Sequence, residues 1–183
     1  MASRFPFIKQ EDSMQCGIAC LQMICTYYGQ HYSNGFISTF CHATTEGISL
    51  LGICKAATFL GFKSQPIKTT LNYLNSISSP CILHWNQNHF VVLYQIKDNI
   101  YYISDPSKGK ITYTTEEFKN HWISHIANGE EKGIVLFIEP TYIVLNDLPP
   151  MSVSSASGFC LGRSSNGNVD WKDEHGICLA DLT

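Results

Sequence analysis

The 183-residue sequence predicts an α+β fold, with helices in its first part and an antiparallel sheet in its second. Two observations support this prediction. Apolar residues recur at the helical period before residue 61, whereas short runs rich in β-branched and aromatic residues dominate after Pro80. Helical and strand-like segments do not alternate along the chain, as they would in a doubly wound fold.

The first helix is predicted over residues 12–28, where apolar side chains recur every three to four positions and Gly29 follows as a stop. Asp12 or Ser13 is expected to cap this helix. A second helix is predicted over roughly residues 48–60, and the segment "TTLNYLNSI" predicts a short third helix.

Five segments predict strands: "CILHW", "HFVVLYQI", "IYYISD", "KITYT" and "GIVLFIE". Before the last of them, Thr114 and Glu117 have capping-box spacing and predict a short helix over "FKNHW". Residues 141–183 are rich in Ser, Gly and Asn and lose this periodicity. One domain over residues 1–140 and a loosely ordered tail over 141–183 are therefore expected.

Charge and composition exclude several classes of protein. The net charge is -3 and the lysines are scattered, which argues against nucleic-acid binding. No apolar run is long enough for a membrane span or a signal peptide, so a cytoplasmic chain is expected. The eight cysteines have no C-x-x-C spacing, so no metal site is predicted. Cys160 and Cys178 are the two whose pairing stays open.

Cys16 stands at the mouth of the first predicted helix. The unpaired N–H groups and the macrodipole of a helix N-terminus stabilise a thiolate, the reactive form of cysteine. Cys20 and Cys25 lie deeper in the same helix, where apolar neighbours keep a thiol neutral. On helix placement alone, Cys16 fits a nucleophile and a core residue about equally well.

A nucleophilic cysteine needs a histidine that a carboxylate or amide orients. His89 opens one predicted strand and Asp105 closes the next, so the two strands are expected to form a hairpin. If residues 97–99 form a three-residue loop, Asp105 falls opposite Val91, on the face that carries His89. A two-residue turn would send Asp105 to the other face, so the contact requires an odd-length loop or a bulge.

His84, on the preceding strand, is the competing base, but no carboxylate lies at a matching position. His31, His42, His121 and His125 have polar or helical surroundings and are interpreted as surface residues. Gln10 lies six residues before Cys16, a distance that allows its amide to fold back beside the sulfur. With the Cys16 backbone N–H it would stabilise the oxyanion of an acyl transfer.

These segments resemble a known family, the bacteriocin-processing cysteine peptidase domains at the N-terminus of peptidase-containing ABC transporters. The resemblance rests on "QEDSMQCGIACLQMICTYYG", "GISLLGICKAATFLGF" and "PCILHWNQNHFVVLYQIKDNIYYISDPSKG", and covers about residues 5–140. It implies a papain-like fold, with the nucleophile on an N-terminal helix and the histidine and aspartate on a sheet. The family's nucleophile, base, acid and oxyanion glutamine carry over to Cys16, His89, Asp105 and Gln10.

The resemblance also implies an activity. Family members cut a leader peptide after a double-glycine motif, on the cytosolic side of the bacterial inner membrane, before the cargo is exported. No metal or other cofactor is implied for cleavage, and ATP would serve only the transporter parts, which this chain lacks. Gln15 departs from the family, in which many members have aspartate before the nucleophile.

Two alternative functions remain open at this point. The chain could be a non-catalytic module that binds a leader peptide for an exporter. It could also be another papain-like hydrolase or amidase, acting on cell-wall peptides or glutamine side chains. The sequence does not reveal the leader, the groove that holds it or the oligomeric state.

Overall fold

The computed structural model describes residues 5–41, 48–77 and 80–141. Twelve helices and strands lie in these ranges, and they are, in chain order, α1 (Cys16–Tyr27), α2 (Asn34–Cys41), α3 (Leu50–Phe59), β1 (Phe62–Thr70), α4 (Leu71–Asn75), β2 (Cys81–Trp85), β3 (His89–Lys97), β4 (Ile100–Asp105), β5 (Gly109–Thr114), α5 (Thr115–Trp122), β6 (Ile123–Ala127) and β7 (Glu130–Pro140). The predicted tail lies outside the described residues apart from Thr141, so the expected domain boundary stays a prediction.

The strands form one antiparallel sheet in the order β1-β7-β2-β3-β4-β5, with β6 paired to β7. Successive residues of β3 show how both faces are covered. Phe90 and Val92 pack into a core with α1, α2 and α3, whereas Val91 and Leu93 pack into a second core with α4 and α5. The predicted α+β class, helices first and sheet second, is confirmed.

The start of α1 differs from the prediction. The helix begins at Cys16 with Gln15 as its N-cap, so Asp12 and Ser13 precede it and do not cap it. Asp12 instead closes a turn, in which its carboxylate accepts hydrogen bonds from the Met14 backbone N–H at 2.8 Å and from the Gln15 side-chain amide. This turn shortens the helix and places Cys16 at its first residue.

Three elements were not predicted from the sequence, namely α2, β1 and β6. Helix α2 is short and buries two residues, Ile37 and Cys41, so its apolar pattern is weak. Strand β1 contains Pro66, which normally argues against a strand, but β1 lies at the sheet edge where a proline is tolerated. Strand β6 pairs with β7 alone and is five residues long.

The predicted capping box before α5 is confirmed. The Glu117 backbone N–H donates to the Thr114 hydroxyl oxygen at 3.4 Å, and the Thr114 backbone N–H donates to the Glu117 carboxylate at 2.8 Å. Phe118 and Trp122 then lie on the buried side of the helix, where they cover the sheet.

The hairpin of β3 and β4 contains a bulge instead of the expected three-residue loop. Lys97 pairs with Ile100, so the turn has two residues, and both have left-handed φ angles of 51° and 59°. The register shifts between Leu93 and Gln95, which leaves Tyr94 as the extra residue on β3. The loop prediction is therefore wrong, while the alternative condition, a bulge, is met.

Candidate active site

Close packing between α1 and the sheet determines the position of Cys16. A Cβ added at Gly17 would lie 2.8 Å from Ile53 Cδ1 and 3.4 Å from the ring of Phe90, so the Ile53 side chain would have to shift to admit a larger residue. Phe90 directly follows His89 on β3. The glycine therefore allows the first turn of α1 to approach the strand that carries the histidine. The Cys16 side chain is 7% exposed.

The expected contact between His89 and Asp105 is present. The His89 Nε2 atom lies 2.9 Å from Asp105 Oδ1, across the β3–β4 pair. Val92 pairs with Ser104, so the next pair along the ladder sets Asp105 opposite Val91, on the same face as His89. The bulge at Tyr94 is what shifts this register by one residue.

The Cys16 thiol lies close enough to His89 to act on the charge of its ring. Because Asp105 engages Nε2, the second ring nitrogen, Nδ1, is the one available to the sulfur. Burial lowers the pKa of His89, but the hydrogen bonds to Asp105 and Cys16 and their electrostatic attraction outweigh it and raise the pKa to about 9. The pocket therefore stabilises the imidazolium form at neutral pH.

The Asp105 carboxylate is buried and held by three donors. Besides His89, the Ser107 backbone N–H donates to Oδ1 at 2.8 Å and the Ser107 hydroxyl at 2.7 Å. Burial raises the pKa of Asp105, but the bonds from His89 and Ser107 and the charge of His89 lower it to about 2. Ser107 was not among the predicted site residues, although a serine two residues after an aspartate in a turn is a known signal for such bonds.

Gln10 lies beside the turn that follows Asp105. Its backbone N–H donates to the Pro106 carbonyl at 3.0 Å, and its side-chain amide donates to the Asp12 carbonyl at 2.9 Å. The Gln10 Oε1 atom is buried and accepts no hydrogen bond from the described residues. Its place beside the Cys16 sulfur stays a prediction, and one N–H of the amide makes no bond to the described residues.

A cysteine beside a histidine that is bonded to a buried carboxylate is an arrangement that can supply a nucleophile, a base and an orienting group. The chain's sequence matches the peptidase C39 family model over residues 4–132. This chain belongs to the peptidase C39 family. A second model, for a domain of unknown function designated DUF4357, matches residues 83–183.

Individual C39 relatives agree with this assignment. The chain is 35% identical over 124 residues to the colicin V secretion/processing ATP-binding protein CvaB of Escherichia coli. That alignment covers 68% of this chain and 18% of CvaB, so the chain spans about a fifth of the relative's length.

Two solved structures share the fold. A double glycine motif protease from an AMS/PCAT transporter, solved with its leader peptide, superimposes with a TM-score of 0.67 at 32% identity and covers 76% of this chain and 94% of its own. The peptidase domain of Streptococcus ComA gives a TM-score of 0.64 at 26% identity and covers 75% and 99%. The predicted papain-like cysteine peptidase architecture therefore holds for this C39 chain.

The competing histidine, His84, packs against an aromatic ring. It is half-buried on β2, opposite Phe90, and its ring centroid lies 5.3 Å from that of Phe90. Burial lowers the pKa of His84, so the neutral ring is favoured. A neutral histidine packed on an aromatic ring is typical of a structural residue.

The other histidines differ from one another. His31 and His125 are exposed, as predicted, and His42 lies outside the described residues. His121 is half-buried, so its prediction as a surface residue was wrong: its ring stacks on Trp85 at 5.1 Å, and Nδ1 lies 2.8 Å from the Asn86 side-chain oxygen. This contact joins α5 to the turn that precedes His89.

The remaining described cysteines contribute to the core. Cys20, Cys25, Cys41 and Cys81 are buried and free, and Cys54 is half-buried. Burial raises the pKa of Cys25 to about 12 and that of Cys41 to about 11, which keeps both protonated. Cys160 and Cys178 lie outside the described residues, and their pairing stays open.

Metal-binding clusters and membrane-spanning helices are both absent from the described part of the chain. Within residues 5–41, 48–77 and 80–141, no group of three His, Cys, Asp or Glu side chains is placed to hold a metal ion. In the same ranges, no helix combines the length and the apolar character that a membrane crossing requires.

Proposed function

We propose that this chain is the peptidase domain of a peptide exporter and that it cleaves a leader peptide after a double-glycine motif. The observation that carries this proposal is the contact of 2.9 Å between His89 Nε2 and Asp105 Oδ1, with Cys16 close enough to act on the charge of the same ring. Membership of the C39 family and the leader-bound structure of a relative support the same substrate class.

The reaction begins with attack of the Cys16 sulfur on the carbonyl carbon of the scissile bond. The imidazolium form of His89, which the pocket stabilises, forms an ion pair with the thiolate and then donates its proton to the leaving amine. Collapse of the tetrahedral intermediate leaves a thioester on Cys16. His89 then takes a proton from water, which attacks the thioester and releases the leader.

The oxyanion of each tetrahedral intermediate needs two donors. The backbone N–H of Cys16 is one of the first N–H groups of α1, and such groups have no partner within their own helix. The side-chain amide of Gln10 supplies the second donor through the N–H that does not bond to Asp12. Both donors are fixed before the substrate arrives, which is the condition for effective stabilisation.

Partners and location follow from the relatives and belong to the proposal. Cleavage uses protein side chains and water and needs no cofactor, while ATP serves the transport parts of the exporter. The curated relatives carry a secretion and an ATP-binding function in one protein. The chain is therefore expected to act beside the membrane and ATP-binding parts of an ABC transporter, on the cytoplasmic side.

Incubation with a synthetic leader peptide that ends in Gly-Gly and continues into a cargo sequence tests the proposal. The native chain is expected to cut after the second glycine, and Cys16→Ala is expected to lose all cleavage. Cys54→Ala is the matched control, since Cys54 is half-buried on α3 and takes no part in the site. A peptide with both glycines replaced by leucine should stay intact.

The same experiment separates the alternatives. Equal cleavage by native chain and Cys16→Ala would end the proposal. Binding of the leader without cleavage would identify a non-catalytic module, and hydrolysis of a muropeptide or a glutamine amide instead of the leader would identify another papain-like hydrolase.

A further inference from the structure

The segment before Gln10 is built as a strap across the end of the sheet. Residues 5–10, the N-terminal strap, alternate in burial: Phe5 is 6% exposed and Phe7 is 43% exposed, while Ile8 packs partly against the α1 core. The strap ends at Gln10, whose backbone N–H bonds to the Pro106 carbonyl.

Phe5 anchors the other end of the strap. Its ring stacks on Tyr94 with centroids 4.9 Å apart and 6° between the planes, and it also contacts Tyr27 of α1 at 5.5 Å. The Lys110 ammonium of β5 donates to the Phe5 carbonyl and lies 5.5 Å from the centroid of the Tyr94 ring. The strap is thus attached to α1, to the sheet and to the turn after Asp105.

Tyr94 links this anchor to the rest of the site. It is the extra residue of the bulge that shifts the register of β3 and β4 and sets Asp105 on the face of His89. The same residue provides the ring on which Phe5 stacks. One irregularity in β3 therefore fixes both the carboxylate and the start of the strap.

We propose that Phe5 is a positioning residue that acts through Gln10. The stack on Tyr94 and the bond to Pro106 hold the strap at two points, and the Gln10 amide is thereby kept where the oxyanion forms. Without the Phe5 ring, the strap would keep the Lys110 bond, the partial packing of Ile8 and the Gln10 backbone bond, but would lose its stack on Tyr94. The inference rests on the proposed function in one respect, the role of Gln10 as an oxyanion donor.

Two probes of Cys16 distinguish this role from a general structural one. With p-nitrophenyl acetate, the sulfur attacks the carbonyl, an oxyanion forms and collapses, p-nitrophenolate leaves, and the acetyl group remains on sulfur. With iodoacetamide, the sulfur displaces iodide from a saturated carbon, so no oxyanion forms. Misplacement of Gln10 should slow the first reaction and leave the second unchanged.

Phe5→Ala is expected to slow acylation by the ester roughly tenfold, because a small displacement of a catalytic group is costly. The rate of Cys16 alkylation, followed by peptide mass spectrometry, should stay at the native value. Gln10→Ala is expected to slow acylation by roughly 10²- to 10³-fold. In the Phe5→Ala/Gln10→Ala double variant, acylation should be no slower than in Gln10→Ala, since Phe5 has then nothing left to position.

Phe7→Ala is the matched control: Phe7 lies two residues along the strap and points outward, so its removal should change neither rate. Phe5→Tyr keeps the ring, so its acylation rate should equal that of the native chain. If Phe5→Ala does not fold, as judged by circular dichroism, Phe5→Leu replaces it, since leucine fills the site without the ring.

Three results would overturn the inference: an equal loss of acylation and alkylation, additive losses in the double variant, or an effect of Phe7→Ala equal to that of Phe5→Ala. The ester reports on the strap whether or not any leader is cut. If the native chain does not cut the leader but Phe5→Ala still slows acylation by the ester, the proposed function is rejected and the role of Phe5 is retained.

Discussion

The helix start that carries Cys16 and the hairpin that carries His89 and Asp105 reach the same site by different routes. The start of α1 depends on contacts within a few residues, because the Asp12 turn and the Gln15 cap determine that the helix begins at Cys16. The hairpin depends on the pairing of two strands, in which a single extra residue reverses the face of every side chain beyond it.

The two regions also differ in electrostatics. Around α1, burial is the largest cause of the pKa shift of Cys20 and of Cys25, and in both it favours the neutral thiol. In the hairpin, burial is opposed and outweighed by hydrogen bonds, so that His89 and Asp105 both keep their charged forms between about pH 2 and pH 9. The comparison teaches that the hairpin supplies the charged partner that a buried sulfur needs.

The largest expected effect comes from the face of Asp105. Insertion of one alanine between Ser104 and Asp105 would place the alanine opposite Val91 and turn Asp105 to the other face of the sheet. Cleavage is expected to fall roughly a thousandfold or more, because the contact with His89 is lost. Leader cleavage rates and a fold check by circular dichroism measure this.

Deletion of Tyr94 is the matched control for that insertion. It makes Leu93–Ile103 and Gln95–Tyr102 consecutive pairs of a regular ladder, so Asp105 stays opposite Val91. This variant loses the ring on which Phe5 stacks, and cleavage should fall roughly tenfold. A loss as large as that of the insertion, in a folded protein, would show that the face of Asp105 is not what controls the rate.

An intermediate effect is expected for Asp105→Asn. The amide has no negative charge, so the pKa of His89 should fall from about 9 and the imidazolium should be lost at a lower pH. The alkaline limb of kcat/KM should move to lower pH, and the rate at neutral pH should fall roughly a hundredfold. If the alkaline limb does not move, Asp105 does not control the pKa of His89.

The smallest effect is expected for Ser107→Ala, measured as stability. Asp105 has a lower pKa in the folded chain, about 2, than in an unfolded chain, about 3.9. Its contribution is therefore present above about pH 4 and is lost as the pH falls through about 2. Loss of the hydroxyl bond raises the folded pKa and should cost about 1 kcal/mol at neutral pH.

Urea unfolding at a series of pH values from 7 to 2 measures that cost. The difference between native chain and Ser107→Ala should shrink as the solution becomes more acidic. Ser76→Ala, which removes a hydroxyl bonded to the Tyr73 carbonyl at 2.7 Å, should give a difference that does not depend on pH. If the difference in stability for Ser107→Ala is also independent of pH, Ser107 does not stabilise the charged form of Asp105.

Local patterns were sufficient for much of the fold. The capping box of α5 and the strand β3 depend on neighbours in sequence, and both were predicted correctly. Strand β1 was missed because Pro66 normally excludes a strand, and only its place at the sheet edge makes the proline acceptable.

The sequence by itself determined which residue types are present and their order: a cysteine at a helix start, a histidine and an aspartate at strand ends, and a glutamine ahead of the cysteine. Tertiary structure alone decided that Tyr94 would bulge, that Ser107 would bond to Asp105 and that Phe5 would stack on Tyr94. The physical reason is that the pairing register depends on how both faces of the sheet pack against their two cores. Residues distant in sequence form those cores, so no single stretch of chain determines the register.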